Sequence, residues 1–470
     1  MAKSESQTTL PPVLVGVGVC LLGYAVSLAV LGVVSSGNNL GIDRARILLV
    51  ISSMMIGVVY VAGLWRFRRC RSVSRRGLLV ILLIGLGARC VVSIFPPFLE
   101  DDFYRYMLDG AVTANGLNPY RVVPNRLDAG DSADAPGDDI VSKITATGHE
   151  TIARINHPYL ATIYPPVAQA VFATAYLIKP WSVYALRGVL FVFDVGTFVL
   201  LLILLRHLRM PAQWVVWYWW NPVLLREVSS SAHMDVILFP FILGAILLML
   251  RGRVLWGSVV LLVAVGTKLW PLLLAPVMLR VGSRRTRQFL AGSMILVAGS
   301  ACVVWPILAG SQADEGGLTS FARLWHSNEG FFAIWSYAAG VLLPRFSIHG
   351  DDIERCARLG VALLVGCWAV FCAIRPIRDG AEMVSRILGV VAAIFLLGPT
   401  QFPWYSLWML PLFCIRMNPA LLLYSVTLPL YYLQYEHPFV LWIEHLPVWI
   451  ALVGMWVLNR KKTRMHTRTS

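Results

Sequence analysis

Three stretches of about twenty residues, Pro12 to Val34, Ala45 to Trp65 and Gln288 to Leu308, are apolar almost throughout. A helix rises 1.5 Å per residue, so about 20 such residues cover the ~30 Å hydrocarbon core of a bilayer. Several further runs follow. With 57% apolar and only 14% charged residues, against about 25% charged in an ordinary soluble domain, a water-soluble globule is excluded. The chain reads as an all-α polytopic membrane protein.

The formal charge of +15 does not point to nucleic acid. The basic residues form short clusters between apolar runs, with no soluble domain to carry a basic groove. Arg66, Arg68, Arg69, Arg71, Arg75 and Arg76 follow the second run, Arg284, Arg285 and Arg287 a later one, and Arg460 to Arg468 end the chain. By the positive-inside rule these mark the cytoplasmic side. The first run exceeds the ~7–15 residues of a signal-peptide core and lacks a small-residue cleavage pattern after it, so it is predicted as a span. The eight cysteines, scattered singly, lack zinc or redox spacing and read as small core residues.

From Pro97 to Ile163 the sign of the charge reverses, with ten acidic residues against five basic ones. Three crossings lie between the amino terminus and this loop, which places it on the non-cytoplasmic face. The same rule gives spans near 183–205, 211–226, 234–250, 254–269, 286–308, 357–375, 383–399, 402–416, 419–435 and 439–458. The runs 165–179 and 329–343 must begin and end on one side and read as interfacial or re-entrant. Pro271 breaks another run. Roughly 11–14 transmembrane helices result, depending on how short segments count. Four regions follow: 1–76 as a two-span extension with a basic loop, 77–310 as the core with its acidic loop 97–163, 311–458 as C-terminal spans, and 459–470 as a basic tail. Within the loop, Phe103, Met107, Leu108 and Ala111 have the spacing of a short amphipathic helix from Glu100 to Ala114, stopped by Asn118-Pro119. Asp128 to Asp139 reads as an exposed excursion.

The residues with chemistry gather at the start of that loop, in Glu100-Asp101-Asp102-Phe103-Tyr104-Arg105-Tyr106. Three adjacent carboxylates beside an Arg push one another's pKa values apart, as acid–base work or metal binding requires. Acids that merely mark the outer face are the plain alternative. Lys268 lies near the end of an apolar run beside Pro271, where an ammonium needs an anion or must snorkel to the interface. Asp194 and Arg187, seven apart, read as a buried structural pair, and Glu227 as a partner of Arg226. The aromatics Trp214 to Trp220, and likewise Trp404 and Tyr405, read first as an interfacial belt.

The run Glu100 to Gly110, closed by Gly116-Leu117-Asn118-Pro119-Tyr120, resembles the first external loop of GT-C integral membrane glycosyltransferases. The likeness is greatest to the mannosyltransferase-like branch that uses polyprenyl-phosphate sugars. His157-Pro158-Tyr159, Thr162 to Pro166, Asn221-Pro222, His233-Met234-Asp235 and Lys268 to Pro271 are similar to that branch in kind and order. The resemblance implies an inverting transfer of a hexose, with Asp102, or its neighbour Asp101, as the base that deprotonates the acceptor hydroxyl. It implies a substrate site from Tyr104, Arg105, His157, Tyr164, His233, Asp235 and Lys268, with Lys268 or Arg105 on the lipid phosphate. Asp101 and Asp102, alone or with His157 or His233, are candidates for a divalent cation, Mg or Mn; the motif leaves metal dependence open. The expected partners are a polyprenyl-phosphate sugar donor, a glycolipid or glycan acceptor and membrane lipids, and no nucleic acid. The expected location is the cell membrane, with the site on its non-cytoplasmic face. The rival reading is a lipid or solute transporter, which predicts ionisable groups along a mid-membrane path and repeated halves; a scaffold predicts that the carboxylates are dispensable.

Overall fold

The computed structural model describes residues 10–36, 41–68, 73–127, 138–282, 286–310 and 316–469. Most of the predicted excursion at 128–139 lies outside them. The described chain is helical, and its only strand-like pairing is an isolated bridge between Ser327 and Thr400.

Fourteen helices carry the argument: α1 (Pro12–Ser36), α2 (Ile42–Phe67), α3 (Arg75–Ser93), α4 (Asp102–Ala114), α5 (Asp138–Ile152), α6 (Pro166–Ile178), α7 (Val183–His207), α8 (Leu238–Leu250), α9 (Val254–Val265), α10 (Thr286–Gly310), α11 (Phe331–Leu342), α12 (Asp351–Ile374), α13 (Gly380–Leu397) and α14 (Val440–Thr469). Of these α1, α2, α3, α7, α10, α12, α13 and α14 are long and apolar enough to cross a bilayer. Segments Pro222–Ser230 and Met234–Leu250, bent by 103° at their junction, amount to a ninth crossing if taken together, and five shorter apolar segments fill the spaces between. Large apolar side chains point outward from the spans, including Val19, Val192, Val297 and Leu363, each more than 60% exposed. In water such a surface would aggregate; facing lipid it needs no polar cover. The chain is a multi-pass membrane protein.

The predicted spans at 183–205, 286–308, 357–375, 383–399 and 439–458 correspond to α7, α10, α12, α13 and α14. Those at 211–226, 402–416 and 419–435 are broken into single turns instead, such as Ala212–Val215, Pro403–Trp408 and Leu428–Leu433. Pro211, Pro222, Pro403, Pro411, Pro419 and Pro429 recur through these stretches, and each removes an amide donor from the helix ladder. Irregular backbone survives at membrane depth only where protein covers it, and Tyr218, Trp219 and Trp220 are indeed at most 1% exposed. The aromatic belt expected at 214–220 is therefore overturned for Trp217 to Trp220: these rings lie in the core. The cysteines are corrected as well. Cys20, Cys302 and Cys367 face outward, while Cys414 is buried.

A buried ion pair fixes this interior. Arg89 Nε donates to Asp194 Oδ2 at 2.6 Å, Arg89 Nη1 to the Trp219 carbonyl at 2.8 Å, and the guanidinium lies 3.6 Å over the Trp219 ring. Tyr218 adds its hydroxyl to Asp194 Oδ1 at 2.7 Å. Asp194 thus pairs with Arg89 rather than with Arg187, which donates to the carbonyls of Ser93, Phe95 and Ser230. In hydrocarbon, a charge without such a partner is costly.

Helix α4 is the amphipathic helix of the acidic loop, starting two residues later than predicted. Its buried face, which includes Phe103, Met107 and Ala111, packs on α6. The approach is close, because a Cβ on Gly110 would stand 2.5 Å from the Phe172 carbonyl oxygen. The helix ends at Ala114, where Gly116 takes φ +76° and its amide bonds back to Thr113 O.

Candidate functional site

The end of α3 and the start of α4 are joined by residues 94–101, and the turn between them is held by strain. Leu99, just before the carboxylate cluster, has φ +62°, His157 has φ +52°, and Ala232, just before His233, has φ +63°. A left-handed conformation in a residue with a Cβ costs on the order of 1–3 kcal/mol and persists where the surroundings impose it. Leu99 and His157 line a cavity of about 1190 Å³, whereas Ala232 is fully buried and does not. Asp101, Asp102, Arg105, His157, Tyr164 and Lys268, all singled out from the sequence, line that cavity.

Asp102 opens α4, with its side chain 30% exposed, so it is anchored but reachable. Its Oδ2 stands 3.4 Å from the Tyr106 hydroxyl and 3.7 Å from His233 Nδ1. Burial pushes the Asp102 carboxyl up to about 6, with Glu100 and Asp101 adding to the rise against the pull of His233 and Lys268. Asp101 is more exposed. Tyr106, which the sequence placed in the cluster without a role of its own, also lines the cavity and packs edge-on against Tyr164 at 5.1 Å.

Lys268 reaches the cavity from the turn after α9. It is neither snorkelling nor unpaired. Its Nζ donates to Asp235 Oδ1 at 2.6 Å and sits 4.2 Å from the Tyr405 ring centre. Asp235 is 1% exposed and also accepts from Trp408 Nε1 at 2.5 Å, leaving Oδ2 without a hydrogen-bond partner. The Asp235–Lys268 pair thus holds a cation at the cavity wall with its geometry set from behind.

Other expectations change. Tyr104 turns away and accepts a hydrogen bond from Arg154 at 2.9 Å, because it falls on the α4 face that packs near α5. Arg105 lines the cavity but pairs one turn along with Asp109 at 2.9 Å and donates to the Leu160 carbonyl, not to Asp101 or Asp102. Asp109 is itself tied to Thr162 and Gln169. His157 bonds the Tyr159 hydroxyl at 2.9 Å, and burial lowers its pKa. Trp404 and Tyr405, read as belt residues, line the cavity instead, with Trp404 stacked 3.7 Å from the His233 ring.

Behind the cavity wall lies a second polar layer that the sequence did not reveal. Glu227 and Arg226 sit on a π-helical segment, Leu225–Ser230, a form that recurs at functional sites. Glu227 faces Tyr432 and His233 rather than Arg226. Arg226 donates to Phe98 O and Ser231 and stands 3.9 Å from Glu100. Among the described residues, Glu100, Glu227 and His233 bring ligand atoms within 4.8 Å of one another. Asp101 and Asp102, the pair expected to share a cation, are not in that set. No sequence signal joins Tyr432 to this layer, since it is 332 residues from Glu100.

Searches of curated proteins and of solved structures find no match. A family model does match, the MptA_B family, described as alpha-(1->6)-mannopyranosyltransferase, N-terminal domain, over residues 12–283. That span exceeds half of the chain and includes the acidic loop, the π-helical segment and Lys268. A cavity bearing a reachable carboxylate and a fixed cation suits transfer of a sugar, and this chain belongs to the MptA_B family of mannosyltransferases, within the GT-C group.

Proposed function

We propose that the protein moves mannose from a polyprenyl-phosphate donor to a glycolipid or envelope-glycan hydroxyl, with inversion, on the non-cytoplasmic face of the cell membrane. The observation that carries this reading is that Asp102 and Lys268 open into one cavity. The acceptor oxygen attacks the anomeric carbon as Asp102 takes its proton. The bond to the lipid phosphate breaks on the opposite face of the sugar, and the departing oxygen gains its negative charge beside Lys268. A sugar hydroxyl is a poor nucleophile, so a carboxylate within hydrogen-bond reach contributes directly to the barrier, and a preorganised cation stabilises the charge that develops. Transport is the weaker reading, because the acids cluster at one cavity and the family match is to transferases.

Two measurements test this. Purified protein supplied with polyprenyl-phosphate [³H]mannose is expected to label a lipid or glycan acceptor, and nucleotide-linked mannose is expected to label none. Labelling from the nucleotide sugar alone would overturn the donor assignment. For the facing of the site, Ser142 on α5 is exposed. Ser142→Cys is expected to react with an impermeant thiol reagent in intact cells, above the background of the parent chain. Reaction only after permeabilisation would invert the orientation.

A further inference from the structure

We infer that Glu100, Glu227 and His233 bind one divalent metal ion of the zinc class, in a site behind the cavity wall and separate from Asp101 and Asp102. The inference stands on ligand geometry alone and goes beyond the transfer reading, which does not require a metal.

His233 is fully buried, and neither ring nitrogen has a hydrogen-bond partner. Its Nε2 stands 3.4 Å from Glu100 Oε2 and 3.4 Å from Glu227 Oε2. A charge-assisted hydrogen bond would draw such atoms to about 2.7–2.9 Å. Four-coordinate zinc, about 2.0–2.2 Å from nitrogen and oxygen ligands, sets neighbouring ligands about 3.3–3.5 Å apart. The observed spacing suits an ion between the ligands better than a proton between two of them.

The outer atoms are arranged as a metal site's surroundings usually are. The Tyr432 hydroxyl, with one proton to donate, stands 2.6 Å from Glu100 Oε1, 2.9 Å from Glu227 Oε1 and 3.2 Å from Glu227 Oε2. Arg226 lies 3.9 Å from the same Glu100 oxygen. Both Oε2 atoms face His233 Nε2, that of Glu227 with the Tyr432 hydroxyl also in reach. On the far side of the imidazole, Nδ1 points to Asp102 Oδ2 at 3.7 Å, so an ion on Nε2 fixes the tautomer that carries its proton on Nδ1, toward that carboxylate. Two carboxylates and a neutral imidazole give a divalent ion a set of hard and borderline donors, with a position left for oxygen from water or substrate. Glu100 lines the cavity, which provides the way in. The ion would also tie the α3–α4 turn to the distant stretch from Glu227 to His233, whose ends are already joined by the His233 amide bonding Glu227 O.

The test is metal analysis of the full-length protein purified through a tag without histidines. About one equivalent of zinc or a related ion per chain is expected after desalting. After chelation, added Co²⁺ is expected to give visible d–d absorption that titrates to one equivalent. Glu227→Gln, nearly the same size, is expected to weaken Co²⁺ binding at least tenfold, and Asp101→Asn to leave it unchanged. The wild-type titration needs no variant to fold. Chelated wild-type protein that takes up no Co²⁺, or an Asp101→Asn chain that loses the ion while Glu227→Gln keeps it, would overturn the site. Wild-type protein that binds Co²⁺ yet shows no transfer from the lipid donor would count against the transfer reading and support the metal site.

Discussion

Asp102→Asn is expected to lower turnover by about 10²–10⁴-fold, the usual contribution of a general base, with little change in donor affinity. The substitution keeps the side chain's size and its contact with the Tyr106 hydroxyl but removes its capacity to take a proton. The two effects are therefore separable by measuring transfer rate and donor binding on the same preparation. Asp101→Asn is expected to do less, since Asp101 lies at the exposed edge of the cavity. A folded Asp102→Asn protein that binds donor and turns over at the wild-type rate would refute the assignment. A dead Asp101→Asn beside an active Asp102→Asn would move the base by one residue.

The second large effect concerns Lys268. Removing one preorganised electrostatic group from a developing negative charge costs about 10²–10³-fold in turnover, and Lys268→Met is expected to fall in that range. A complication follows from Asp235, because the same variant leaves a buried carboxylate without its cation. Breaking a buried pair costs about 3–5 kcal/mol, so Lys268→Met should also lower thermal stability. Lys268→Met with Asp235→Asn removes the orphaned charge and is expected to regain stability without regaining turnover. Lys268→Arg retains charge but alters its geometry, and is expected to lose less. Recovery of full transfer by the double variant at limiting donor would remove Lys268 from the phosphate site and leave it a purely structural partner of Asp235.

Much of the architecture was legible from the residues. α7, α10 and α13 begin within a few residues of the predicted spans, because a bilayer demands about 20 apolar residues and nothing in a soluble core imposes the same length. The proline-rich stretches misled the same reasoning. Apolar content marks burial, and it does not say whether the burying medium is lipid, which requires an unbroken helix, or protein, which tolerates the turns at 212–219 and 403–413. The aromatic belt failed for that reason as well, with Trp219 and Trp220 in the core.

Of the residues that line the cavity, His157 and Tyr164 came from the family resemblance, whereas Lys268 stood out because it lies within an apolar run, and Asp101, Asp102 and Arg105 because composition changes abruptly at the end of one. Tyr104 and Tyr106 could not be told apart by that signal. Which of them faces the cavity depends on the rotation of α4, and that is set by the close approach of Gly110 to Phe172.

What the sequence determined by itself was the class of molecule, through apolar runs of membrane length, together with a reversal of charge in one loop and a carboxylate cluster at its start. Its partners were decided only in three dimensions. Helical periodicity puts Arg187 and Asp194 on one face, yet it is silent on which helix covers that face, and α3 brought Arg89 to Asp194. In the same way Asp235 received Lys268 from 33 residues away, and Glu100 and Glu227 met at one tyrosine, 332 and 205 residues distant. A buried charge must find an opposite charge or a donor, and with both helices already held by lipid, only their packing against each other decides which one it finds.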